Sequence, residues 1–117
     1  MARYRLTKSA RRDVESILRT SEKRYGRDAG ARYAALLVAA MRRVAEAPEG
    51  RSTLDRSELR PGIRSFHIRH SRNESREPPV ASPAHVLFYR VIEPGFIEIV
   101  RVLHDRMEPD RRLKSDD

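Results

Sequence analysis

The sequence has no cysteine, so nothing in it calls for an oxidising compartment, and none of its 117 residues can supply a thiolate to a metal. The four histidines, His67, His70, His85 and His104, are scattered without the spacing of a tetrahedral zinc set, and no metal or other cofactor is expected. No apolar run approaches the roughly 18 residues a membrane-spanning helix needs, and the opening MARYRLTKSARR lacks the apolar core of a secretion signal. These absences point to one soluble cytoplasmic domain. Lysine is scarce as well, confined to Lys8, Lys23 and Lys114, so the formal charge of +8 is carried almost wholly by arginine. The planar guanidinium fork pairs with carboxylates and phosphates in two-pronged fashion, so an acidic partner is implied, although most single arginines are ordinary solvated surface.

The pattern along the chain is strand, two helices, three strands and a short tail. RYRL (Arg3 to Leu6) alternates as an edge strand does, and Thr7 or Ser9 is placed to cap a helix from Ala10. Val14, Ile17, Leu18 and Tyr25 recur at helical spacing until Gly26 ends the run; Asp28 is the expected cap of a second helix. That helix carries the stripe Tyr33, Leu36, Leu37, Ala40, Met41 and Val44 and stops near Ala47, before Pro48 and Gly50. The joint Gly26-Arg27-Asp28 is short enough to force an antiparallel hairpin. Residues 51–62 read as a polar connector closed by Pro61-Gly62. Three strands follow: Ile63 to His70, His85 to Ile92, and Phe96 to His104, the last two joined at Pro94-Gly95. Between the first two of these lies a loop from Ser71 to Ala84, with three prolines, no aromatic residue and no evident apolar anchor; deleting most of it should leave folding nearly unchanged. Asp105 can cap one short turn of helix, and residues 114–117 are expected to be disordered.

Five segments in this order resemble the ParE branch of the RelE/ParE toxin superfamily: YRLTKSARRDVESI, VAEAPEGR, PGIRSF, HVLFYRV and IVRVLHDRMEPDRRL, together spanning Tyr4 to Leu113. The resemblance implies an α+β domain over residues 1–113, in which the helical hairpin packs on one face of a small, mainly antiparallel sheet. It also implies a toxin of a type II toxin–antitoxin system, neutralised by a ParD-like antitoxin in a complex with at least two copies of each chain, and touching operator DNA only through that antitoxin. ParE-like members poison DNA gyrase, whereas RelE-like members are ribosome-dependent mRNA endonucleases whose middle strand carries an arginine for the scissile phosphate. Here Val86 stands at that place, and valine pairs with no phosphate, so a non-enzymatic gyrase poison is the expected activity. A ribosome-dependent nuclease and an inactive antitoxin-binding module are the alternatives.

Two amphipathic helices and a sheet too small to cover both leave part of a groove open, which an amphipathic antitoxin helix with an acidic extension would fill. Ile17, Tyr25, Tyr33 and Leu37, where they are not core, and Arg64 and Arg101 on the sheet are the candidate antitoxin contacts. Toxicity is assigned to Arg64, Arg101, His104 and Arg106. Without an arginine at position 86, His104 reads as a structural residue bonded to the turn into Asp105. The alternative for Arg101 is an ion pair with Glu98 or Glu58. Tyr89 is expected in the core with its hydroxyl on backbone, and Tyr25 and Tyr33 as packing residues beside the hairpin joint.

Overall fold

The computed structural model describes residues 2–113, so the expected tail at 114–117 lies outside the described residues. β1 (Arg3–Leu6) leads into α1 (Lys8–Tyr25). Of the two candidate caps it is Thr7 that serves: its Oγ1 accepts the Ala10 N–H at 3.0 Å, starting the helix at Lys8 rather than Ala10. α1 ends because Gly26 takes φ +95°, a conformation that favours glycine. α2 (Arg27–Glu46) starts at the very next residue, so the joint is Gly26 alone. Asp28 therefore makes no cap. It sits in the first turn of α2, and no side chain caps that helix. The arms approach closely beside the joint: a Cβ placed on Gly30 would lie 3.4 Å from the Cβ of Glu22.

The sheet order is β1-β5-β4-β3-β2. β3 (Arg64–His67), β4 (His85–Glu93) and β5 (Phe96–His104) form an antiparallel meander, and β1 lies parallel to β5. Two features departed from the pattern read in the sequence. The connector contains β2 (Leu54–Asp55), paired with Ser65 and Arg64, and the strand expected to reach His70 stops at His67, where Ile68–Ser71 turn into a 3-10 helix. Periodicity cannot register a two-residue strand that exists only through its partner.

Both helices lie on one face, where Leu36, Leu37, Ala40, Met41 and Val44 of α2 meet Phe66, Leu87, Tyr89, Ile97, Ile99 and Val102. The other face carries a smaller layer of Ile63, Phe88, Val100 and Leu103, closed by Leu113 from α3 (Pro109–Leu113). Ile63 thus belongs to the opposite layer from Phe66 and Ile68. The loop after β3 does have an apolar anchor, contrary to expectation: Val80 packs against the main core, and its carbonyl accepts from Arg72 Nε at 2.6 Å.

One carboxylate ties α1 to the edge of β5. β1 pairs with β5 only as far as Ile99, which leaves the upper edge of β5 open. Asp13 of α1 closes it, accepting from the Val102 N–H at 3.0 Å and from Arg101 Nε and Nη2 at 2.7 and 2.9 Å. Arg101 therefore pairs with Asp13, not with Glu98 or Glu58; Glu98 is held by Arg5 and Arg90, and Glu58 by Arg56. A bulge makes this possible: Phe88 pairs with Arg101 and Tyr89 with Ile99, so Val100 is the extra residue. Replacing Asp13 by alanine removes two of the bonds of a half-buried guanidinium and the acceptor of an edge N–H, and should cost about 2–4 kcal/mol in urea unfolding. Adding Arg101→Met should return part of that loss; strictly additive costs would show that the pair does not couple.

Candidate functional site

Where the tip of the hairpin overhangs the end of the sheet, an open groove of about 920 Å³ runs between α1, α2 and the proline-rich loop. α1 gives it Ile17 and Tyr25, α2 gives Ala29 and Tyr33, the loop gives Pro78 to Ala81, and Met107 closes the far end. Tyr25 is 72% exposed and Met107 42%, far more than large apolar side chains normally are in a finished surface. Arg24 and Arg32 supply the charge, and no carboxylate lines the groove among the described residues. The site is an apolar trough with a basic rim.

Its floor is polar. His85 opens β4 opposite His104, the last residue of β5, and their rings meet edge to face with centroids 5.3 Å apart. Tyr33 reaches down from α2: its hydroxyl accepts the Ala84 N–H at 3.0 Å and lies 2.5 Å from His85 Nδ1. The Tyr33 oxygen accepts the Ala84 N–H, and its own O–H donates to His85 Nδ1, its acceptor here, which leaves the ring hydrogen of neutral His85 on Nε2. Burial, reinforced by the neighbouring His104, depresses the His85 pKa to about 4, so this imidazole is neutral near pH 7. Burial raises the pKa of Tyr33, against the opposing effect of the Ala84 amide. Beside them His67 Nδ1 accepts the Arg69 N–H at 3.1 Å, while Nε2 lies 2.9 Å from Asp105 Oδ2. That bond holds the Asp105 carboxyl below its ordinary pKa. His104 Nδ1 accepts the Arg106 N–H at 3.1 Å and fixes the turn after β5. No group of three or more metal-ligating side chains forms among the described residues.

The profile of the ParE toxins of type II toxin–antitoxin systems, parDE, matches residues 4–109. The chain belongs to the ParE toxin family. Toxin ParE1 of Mycobacterium tuberculosis is 35% identical over 112 residues, covering 96% of this chain and 98% of its own. Toxin ParE1 of Caulobacter vibrioides is 37% identical over 114 residues, covering 97% and 99%. A solved structure of the chromosomal ParDE system from P. aeruginosa has the same fold, with a TM-score of 0.62 over 89% of this chain and 96% of that one, at 17% identity. The protein is thus a ParE-type toxin, and no helix among its described residues is long and apolar enough to cross a membrane.

On this ParE fold the residues singled out in the sequence divide. Ile17, Tyr25, Tyr33 and His104 all line the groove, Tyr25 as an exposed surface and not as the packing residue expected. Leu37 is 2% exposed and belongs wholly to the core. Arg64 is turned inward beneath the end of α2, bonded to Pro48 O at 2.9 Å and Thr53 Oγ1 at 2.8 Å; Tyr89 places its hydroxyl on the same carbonyl. Arg101 is engaged with Asp13 and with Arg112 O. Arg106 is exposed on the turn beyond the groove. Away from the groove, Ala34, Ala35 and Ala39 of α2 line a separate shallow depression beside Val38 and Arg42. Sequence reasoning did not find His85, Val80 or Met107. His85 was within reach: Glu93 pairs with Phe96 at the Pro94-Gly95 turn, and counting outward places His85 opposite His104 because two bulges, one in each strand, cancel.

Neutral His85 gives folding a defined pH dependence. Its folded pKa lies below the unfolded value, so the stabilisation is complete above about pH 6.5 and declines as pH falls toward 4, by up to about 1.4 kcal/mol per pH unit. The Asp105 contribution is lost only lower, through its depressed carboxylate pKa. Urea unfolding between pH 7 and 4 should reveal this slope, and His85→Asn should flatten it; an unchanged slope in the variant would remove His85 as its source.

Proposed function

We propose that this ParE-family toxin poisons DNA gyrase and that a ParD-like antitoxin neutralises it by laying an amphipathic segment in the groove between hairpin and loop. The observation that carries the antitoxin reading is the trough itself: exposed Tyr25 and Met107 beside half-buried Ile17, with arginines and no carboxylate along it. An occupant with apolar anchors and acidic flanks matches it, the apolar area supplying affinity and the charge supplying rate and specificity. Binding through this trough would cover Tyr33 and the imidazole floor as well.

The choice of gyrase over mRNA rests on what the sheet offers a phosphodiester. Val86 faces the outer layer beside Leu103 and provides no cation, while Arg64 and Arg101 spend their guanidinium groups on internal partners. The one observation favouring a nuclease is the His85–His104 pair in an open cleft, a plausible acid–base couple by residue type. Hydrogen bonds from Tyr33 and the Arg106 N–H already occupy both Nδ1 atoms, which suits a structural floor.

Adding the purified toxin to gyrase, relaxed plasmid and ATP should suppress supercoiling and accumulate cleaved DNA, while a translating extract should keep its mRNA intact. Untouched supercoiling with cut mRNA would transfer the assignment to the nuclease. For the partner, Tyr25→Ala and Ile17→Asp should each weaken binding of a ParD-like antitoxin by about tenfold or more, the range for losing a buried anchor. Unchanged affinity in both would place the antitoxin elsewhere.

A further inference from the structure

The outer face of the sheet is covered only in part. α3 and Leu113 close the layer around Phe88, Val100 and Leu103, but that layer does not extend to where β1, β5 and the far end of β4 lie side by side, and Arg3, Arg5 and Arg90 there are exposed. That bare area carries arginine. Arg3 and Arg5 on β1 lie over the ring of Phe96, with guanidinium carbons 4.6 and 5.4 Å from its centroid. One row along, Arg5 and Arg90 grip the two oxygens of Glu98 from either side, both at 2.9 Å. Arg3 meets no carboxylate among the described residues, and Glu93, the register partner of Phe96, is exposed at the margin.

We propose that this face, Arg3, Arg5 and Arg90 around Phe96, is a contact surface for the phosphate backbone of duplex DNA. Three features select that partner. The guanidinium groups are already ordered, by stacking on a ring or by sharing a carboxylate, so little side-chain freedom is lost when a phosphate binds. They are fixed on a sheet, a rigid array that suits the rigid phosphate array of a duplex better than a flexible acidic segment. Finally, Arg3 and Arg5 cover the face of Phe96, so no unpaired base can stack there as single-strand binding surfaces require. Such contact is independent of sequence and leaves operator reading to the antitoxin. It does not rest on the gyrase reading, and it lies on the opposite side of the sheet from the groove.

Fluorescence anisotropy of the full-length chain with a labelled duplex at low salt tests the assignment. Arg3→Ser with Arg90→Ser should weaken binding at least tenfold and reduce the slope of log affinity against log salt by about two. Arg11→Ser with Arg19→Ser on exposed turns of α1 removes the same net charge and should change affinity less than threefold. Glu93→Gln should tighten binding, a gain of function that misfolding cannot imitate. An equal loss in the α1 control would reduce the effect to net charge and overturn the site. So would polyglutamate or a single strand of the same sequence binding as tightly as the duplex, the first pointing to an acidic protein partner and the second to base contacts.

Discussion

Asp13 settles where the helices go. β5 has β4 along one side for its full length, but β1 accompanies it on the other only through Ile99. Beyond that point a strand buried under two helices would expose unpaired backbone groups, and buried backbone must find partners. α1 provides them: the Thr7 N–H and hydroxyl go to the carbonyls of Ile99 and Val100, and Asp13 takes the Val102 N–H. Because Arg101 grips the same carboxylate, the first turns of α1 are fixed to the sheet edge, and everything attached to α1 inherits that position.

The groove is a consequence. With α1 fixed to the sheet at Asp13 and Val102 and α2 joined to it through a single glycine, the tip of the hairpin projects beyond the end of the sheet, because α1 runs on from Asp13 to Tyr25, roughly 18 Å, whereas β5 runs on from Val102 only to His104, roughly 7 Å. The overhang leaves Tyr25 largely exposed. The loop after β3 closes the opposite side, held by Val80 and by Arg72 on its carbonyl, so the trough has two walls that come from distant parts of the chain.

Polar groups at its floor complete the connection between layers. Tyr33 from α2 bonds the amide that precedes β4 and the first imidazole of β4, and that ring leans on the last residue of β5. An apolar residue at position 85 would pack against Tyr33 but leave its O–H donor without an acceptor, whereas neutral His85 accepts that hydrogen bond at Nδ1. The same burial that makes the bond worth having also excludes charge from the ring, which is why acidification acts on this end of the sheet before it reaches Asp105.

Local pattern was sufficient for β1, both helices, the β4–β5 hairpin and the α2 stripe, because each depends on residues close in sequence: a threonine cap, a glycine at positive φ, apolar residues on one helical face. The order and spacing of these segments also carried the family. What local pattern could not determine was every contact made at long range. Asp13 looks like one more solvated helix carboxylate until the Val100 bulge turns Arg101 toward it. Leu37 and Tyr25 both look like members of an apolar stripe, yet only the overhang leaves one bare and buries the other. Arg64 and Arg101 read as candidate contacts, Arg101 with Glu98 or Glu58 as its alternative partner, because sequence reveals charge but not which carbonyl or carboxylate will face it. Secondary structure is set by neighbours within a few residues, whereas exposure, pairing and the groove are set by which distant surfaces the packed sheet brings together.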